Sequence, residues 1–208
     1  MSNGLHPYYL QTIGIDTWVR RESLKFTQQI KALELSAQVC VDCALHQTRT
    51  KTVFARGNPQ AQLMVIGEAP GFHEDIQGLP FVGRAGLLLN KMLSSIQLTE
   101  EEVYITNAIK CRPPNNRDPM PIEITECLGY LKSQIELVKP TVILALGCFA
   151  AHAILDTTEP LSKLRGTIYH YLGIPVCVSY HPSYLLKNLQ DKKNAYHDLL
   201  VLKQYINL

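Results

Sequence analysis

Four short apolar runs punctuate the chain: Leu63-Met64-Val65-Ile66, Val103-Tyr104-Ile105-Thr106, Val142-Ile143-Leu144-Ala145-Leu146 and Val176-Cys177-Val178-Ser179-Tyr180. Each is short and apolar almost throughout, the pattern of a strand covered on both faces. Gly67 and the Ala69-Pro70-Gly71 turn signal stop the first run. Between the runs, apolar residues recur at helical spacing over Ala85 to Ile96, Ile122 to Val138, Cys148 to Leu155 and about Lys192 to Ile206. An earlier surface helix is expected over Trp18 to Ala37. Apolar strands alternating with amphipathic helices predict an α/β sandwich around a mostly parallel sheet. In such sheets ligands bind beyond the carboxyl ends of the strands, so the loops beginning at Gly67, Asn107, Gly147 and His181 are where function is sought.

Composition narrows the class. With 208 residues, 46% of them hydrophobic and 18% charged, the chain can bury one sizeable core and is too apolar to be disordered. No apolar stretch approaches the roughly 18–20 residues of a transmembrane helix. The start, Met1-Ser2-Asn3-Gly4, lacks the basic and apolar regions of a secretory signal, so a reducing cytoplasm is expected. A net charge of +2 gives no global attraction to a polyanion, and such a partner must meet a local patch. Two segments qualify. Leu161 to Lys193 carries Lys163, Arg165, Lys187, Lys192 and Lys193 against Asp191 alone, and Ala44 to Ile66 carries Arg49, Lys51 and Arg56 with no acid.

In a reducing compartment the Cys40-x-x-Cys43 pair points to a metal or redox feature rather than a disulfide. Cys111 and Cys127 complete a possible set of four thiolates, suited to tetrahedral zinc or an iron–sulfur cluster. The second pair is not a CxxC knuckle, which leans towards the cluster. Cys148 and Cys177 fall at or inside expected core elements and read as ordinary thiols.

The loop Gly67-Glu68-Ala69-Pro70-Gly71-Phe72-His73-Glu74-Asp75 sets three carboxylates just after a strand, where an acid can orient water, balance a developing cation or simply cap a helix. Phe81 precedes a helix outside any apolar stripe and can stack on a planar ligand. Asn107 ends the second strand with a donor and an acceptor side by side, suited to a base edge or to a turn. His181, held extended before Pro182, can donate to a developing anion. The Pro-rich stretch from Arg112 to Pro119 lies between a strand and a helix of one sheet and reads as a functional loop, not a linker.

Taken together and in order, Cys40-x-x-Cys43, Gly67-Glu68-Ala69-Pro70-Gly71-x-x-Glu74-Asp75, Pro80-Phe81-Val82-Gly83, Tyr104-Ile105-Thr106-Asn107, Lys110-Cys111-Arg112-Pro113-Pro114, Cys127 and His181-Pro182-Ser183-Tyr184-Leu185-Leu186 resemble the iron–sulfur-containing family-4 uracil-DNA glycosylases. The resemblance covers about Cys40 to the C-terminus. It implies a three-layer α/β/α glycosylase domain over residues 40–208. Residues 1–39 fall outside the resemblance and are expected to form a helical extension packed on the outside of that domain. It also implies a [4Fe–4S] cluster on Cys40, Cys43, Cys111 and Cys127. Phe81 would stack on uracil, Asn107 would read its O4/N3 edge, and His181 would bind O2. Glu68, Ala69 and Glu74 would line the pocket, one carboxylate positioning the attacking water.

The implied reaction is monofunctional hydrolysis of the glycosidic bond of a flipped-out nucleotide, leaving an abasic site, by a monomer acting on uracil-containing DNA. Ser183, Tyr184 and Leu185, with Lys163, Arg165 and Lys187, would contact the DNA, and Leu185 or Leu186 would wedge into the base stack beside Tyr184. A metal-stabilised DNA-binding module without catalysis would share the cysteines and the basic segments, but has no use for Glu68, Asn107 and His181.

Overall fold

A computed structural model describes residues 21–206. The four apolar runs form strands of a six-stranded sheet: β1 (Arg56–Gly57), β2 (Leu63–Gly67), β3 (Val103–Asn107), β4 (Val142–Leu146), β5 (Ile168–Tyr171) and β6 (Ile174–Ser179), in the order β1-β3-β2-β4-β6-β5. The central strands β3, β2, β4 and β6 are parallel, and β1 and β5 pair antiparallel at the two edges. Around the sheet lie helices α1 (Arg21–Val39), α2 (Phe72–Gln77), α3 (Arg84–Ser94), α4 (Pro121–Val138), α5 (Cys148–Leu155), α6 (Leu161–Leu164), α7 (Pro182–Leu185) and α8 (Lys192–Lys203).

Because side chains alternate across a strand, the apolar runs feed two cores. Leu63, Val65, Ile105 and Leu144 pack with Leu89 and Leu93 of α3 and Leu199 and Leu202 of α8. Met64, Ile66, Ile143 and Ala145 pack with Leu131 and Ile135 of α4 and Ala150 and Ile154 of α5. Helices therefore cover both faces, the three-layer α/β/α arrangement. Helix α1 lies outside this second layer, with Ile30 against its core and the Tyr130 hydroxyl of α4 donating to the Ser36 carbonyl at 3.3 Å. The first three residues of the expected helix, 18–20, lie outside the described residues. No helix among the described residues is long and apolar enough to cross a membrane.

Strand β2 is flanked by β3 on one side and β4 on the other, although the chain runs β2, β3, β4. Connections leaving the sheet in opposite directions open a crevice at the carboxyl ends of the strands. The segments after β2, β3 and β6 converge there, and Gly147 after β4 lies against His181 from outside the lining.

Candidate active site

A cavity of about 240 Å³ occupies that crevice. It is smaller than the roughly 300–1,000 Å³ typical for drug-sized ligands and suits one flat ring. Glu68, Ala69 and Glu74 from beyond β2, Phe81, Asn107 at the end of β3, and His181 and Ser183 beyond β6 all line it.

The close approach of three of these groups depends on glycine. In the β2–β3 register Gly67 lies opposite Asn107. A Cβ at Gly67 would come within 2.4 Å of Asn107 Oδ1 and 2.6 Å of Phe81 Cζ. The Phe81 backbone lies in the left-handed region at φ 55°, a conformation that costs a bulky residue about 1–3 kcal/mol. Its surroundings impose it. Gly86 sits so close that a Cβ there would fall 1.6 Å from the Phe81 carbonyl oxygen, which also accepts a bond from Arg56 at 3.3 Å. Arg56 is itself anchored by Glu100 and by Asn90 Oδ1. The Phe81 and His181 rings stand 5.6 Å apart at 33°.

Asn107 is 2% exposed, yet its amide makes no hydrogen bond among the described residues. The amide lines the cavity, where its donor and acceptor are open to a ligand edge. His181 is held differently. Its Nδ1 accepts the Ser183 backbone N–H at 3.2 Å and lies 2.7 Å from the Ser183 hydroxyl. Burial pushes its pKa down to about 4. The ring is therefore neutral near pH 7, with its proton on Nε2, and can donate from that atom without carrying charge.

The three acids beyond β2 have separate environments. Asp75 is buried and accepts the backbone N–H groups of Thr50 and Lys51 at 2.8 and 3.3 Å, tying α2 to the segment after Cys43. Glu74 accepts the Gly83 N–H at 3.2 Å and so braces the loop that carries Phe81. Glu68 makes no side-chain hydrogen bond among the described residues. Burial, with the nearby Asp118 charge, pushes its pKa up to about 7.

A second pocket is lined in part by Lys110, whose ammonium donates to the Asn107 carbonyl. Cys40, Cys43, Cys111 and Cys127 all line it. The sulfur of Cys127 accepts the Lys110 backbone N–H at 3.2 Å, and that of Cys111 accepts Arg49 Nη1 at 3.2 Å. Burial raises the pKa values of Cys43 and Cys111, and pushes that of Cys127 to about 11. Among the described residues no three metal-ligating side chains already stand at coordinating spacing. The donor set is nonetheless soft and fourfold, and two sulfurs have N–H donors directed at them. Cys177 is buried in the core, and the half-buried Cys148 lies 3.1 Å from His152 Nε2. Both are apart from this pocket.

Residues 54–201 match the uracil DNA glycosylase superfamily. The chain is 46% identical to the type-4 uracil-DNA glycosylase of Archaeoglobus fulgidus, over 76% of this chain and 84% of that protein. It is 45% identical to that of Thermotoga maritima over 74% and 81%, and 40% identical to that of Saccharolobus solfataricus over 81% and 82%. The chain belongs to the type-4 uracil-DNA glycosylases.

In this type-4 chain, two of the expected DNA contacts have other roles. Leu185 is 1% exposed and packs into the first core, so it has no free surface to wedge with. Arg165 forms a two-pronged pair with Asp198, at 2.9 Å on each arm, and stacks on Tyr180 with its guanidinium 4.1 Å from the ring centroid. Its charge is spent within the fold. Lys163 is exposed and paired with Glu159 at 2.9 Å. Ser183, Tyr184 and Lys187 are exposed. Tyr184 stacks flat on Tyr180 at 5.1 Å, which extends the Arg165 stack to the surface.

The Pro-rich stretch from Arg112 to Pro119, expected as a functional loop, borders the cavity, and two further features were not legible in the sequence. Pro113, Asn116 and Arg117 form a wall of the base-sized cavity. The only trace of that wall in the sequence is its proline content. Arg117 is fixed by both oxygens of Glu123, at 2.6 and 2.8 Å. Lys110 is 1% exposed and donates to Thr106 Oγ1, the Asn107 carbonyl and Gln134 Oε1 at 2.6–2.7 Å, which locks the backbone under Asn107.

Proposed function

We propose that this protein is a monofunctional uracil-DNA glycosylase that extrudes uracil from DNA and hydrolyses its glycosidic bond, leaving an abasic site for base excision repair. The observation that carries this reading is the Asn107 amide, without a protein partner among the described residues and facing a ring-sized cavity shared with Phe81 and neutral His181. Uracil presents O4 as acceptor and N3–H as donor, and one amide satisfies both. Cytosine presents the reverse pattern and leaves the amide mismatched. A non-catalytic DNA-binding module needs no such amide.

Bond cleavage places negative charge on the departing base and positive charge on the sugar. His181 Nε2–H would donate to uracil O2 as that charge grows, and because the ring is already neutral, no proton has to be removed first. A donor so placed is worth roughly 10²–10³ in rate. Phe81 would stack on the base. Glu68, free of competing hydrogen bonds, is the acid we assign to the water and the cationic sugar, while Glu74 positions the Phe81 loop. Among the described residues no lysine lines the cavity to form a Schiff base, which supports hydrolysis without strand cleavage.

We also propose that Cys40, Cys43, Cys111 and Cys127 hold a [4Fe–4S] cluster. Four thiols around one pocket, Cys111 buried and the other three half-buried, with N–H donors at two sulfurs, fit such a group, whose positive iron ions favour the thiolate form. Cys40 and Cys43 just after α1, Cys127 in α4 and Cys111 at the start of the loop that walls the cavity would together hold it, and the group would tie these segments to one another. Exposed Ser183, Tyr184 and Lys187 would meet the DNA. Incubating the protein with a uracil-containing oligonucleotide and then alkali should cut the strand at uracil. An intact strand after alkali, with iron and sulfide present in the protein, rules the reading out.

A further inference from the structure

The acids at the base pocket pose an electrostatic problem. Glu68 and Glu74 line the cavity, and Asp118 lies near enough to raise the Glu68 pKa. A polyanionic strand must nevertheless approach its mouth. We infer that Arg112 is a phosphate-binding residue at that mouth, gripping a phosphodiester of the substrate strand beside the extruded nucleotide. This rests on the proposed glycosylase reading.

Arg112 is the described arginine that is both held in place and uncommitted. Its Nε donates to Asn116 Oδ1 at 2.7 Å, and its guanidinium lies 5.0 Å from the centroid of the Phe72 ring. Asn116 lines the cavity, and Phe72 follows the cavity-lining Gly71, so the cation bridges two sides of the opening. Asn115 and Asn116 both have positive φ, at 56° and 52°, a conformation asparagine tolerates, and this turn presents the Asn116 amide to Arg112. Both terminal nitrogens are left without a hydrogen bond among the described residues. A planar guanidinium fixed by one edge and one face, with two N–H₂ groups spare, matches the two-pronged geometry of a phosphate.

Its counterparts are occupied. Arg49 donates to Cys111 Sγ and the Gln38 carbonyl, Arg117 to Glu123, and Arg165 to Asp198. Arg84 is exposed and free, but no ring or amide holds it. A local count of basic residues places Arg165 beside Lys163 and Lys187 on the DNA face. Among the described arginines, being held by neighbours while both terminal nitrogens stay unpaired distinguishes Arg112.

The test is the salt dependence of binding to a fluorescent single-stranded oligonucleotide without uracil. Each phosphate contact on a single strand contributes about 0.7 to the slope of log K against log salt. Arg112→Gln is expected to lower the slope by about 0.7. Arg112→Lys should retain the slope, and Lys139→Gln, exposed just before the amino end of β4 and so away from the cavity, should behave as wild type. A wild-type slope in a folded, iron-loaded Arg112→Gln protein overturns the inference, as does a lowered slope in Lys139→Gln alone. If Arg112→Gln fails to fold, Phe72→Ala removes the supporting ring but keeps the charge. Weaker binding at every salt concentration with an unchanged slope supports the inference, and unchanged affinity overturns it. Uracil release by the same wild-type preparation is scored separately, so loss of the glycosylase reading is distinguishable from loss of this one.

Discussion

The Phe81 ring and the His181 imidazole stand 5.6 Å apart at a 33° tilt, although the two residues are separated by a hundred positions and by most of the sheet. Two glycines make the Phe81 side of this pair possible. Gly67 gives the ring room beside Asn107, and Gly86 accommodates the Phe81 carbonyl.

Gly67→Ala is therefore expected to damage activity well beyond its effect on folding. The new methyl group would collide with Asn107 Oδ1 and the Phe81 ring. The expected loss in kcat/KM is at least tenfold, about 1.4 kcal/mol in transition-state stabilisation, measured beside the thermal midpoint. Unchanged kcat/KM in a folded variant would contradict this placement of the two groups.

Asn107→Asp should weaken discrimination between uracil and cytosine. A well-formed two-point contact to a base edge is worth about 1–3 kcal/mol of selectivity, so the ratio of kcat/KM values should fall by about one to two orders of magnitude. Parallel assays on oligonucleotides carrying each base give that ratio.

The pH profile separates Glu68 from His181. Burial already holds His181 neutral above about pH 4, so no histidine step is expected between pH 5 and 9. Glu68 titrates near 7, and the single-turnover rate should rise with pH through that region, or somewhat above it once DNA phosphates are near. Glu68→Gln should abolish the step. Linkage gives a second readout. Between about pH 4.3, where an unfolded glutamate titrates, and about 7 the folded state binds the extra proton, so stability falls as pH rises. Glu68→Gln should remove that slope from denaturation curves.

Much of the sheet is legible in the sequence because parallel strands buried on both faces must be apolar throughout, and the four runs ending at Ile66, Thr106, Leu146 and Tyr180 are. The edges are not. β1 has two residues, and β5 joins β6 through Leu172 and Gly173, both at positive φ. That turn geometry is ordinarily signalled by asparagine or glycine at the first position, not leucine. Glu68, Asn107 and His181 are legible because polar residues directly after apolar strands fall at the ligand-binding end. The supports of Phe81 are not, since Arg56 reaches it from 25 positions away and Gly86 matters only because Phe81 turns back at positive φ. Arg165 misleads for the same reason. Its partner Asp198 lies 33 positions away, beyond the reach of a local charge count.

Arg165→Met should accordingly act on stability. The pair with Asp198 is largely buried, with side-chain exposures of 14% and 3%. Removing one member of a buried pair typically costs about 3–5 kcal/mol. Denaturant unfolding measures this, and a loss confined to DNA affinity would return Arg165 to the DNA face.

Free uracil released under single-turnover conditions tests the central assignment most directly. Matched oligonucleotides bearing uracil, cytosine or thymine are incubated with the iron-loaded wild-type protein and with Asn107→Ala. The wild type should release one uracil per uracil-bearing strand, leave the strand uncut until alkali is added, and release neither other base. Asn107→Ala should be slower by roughly 10²–10³, the size of a lost transition-state contact. No uracil from the wild-type protein, or equal rates for the two proteins, would contradict the account.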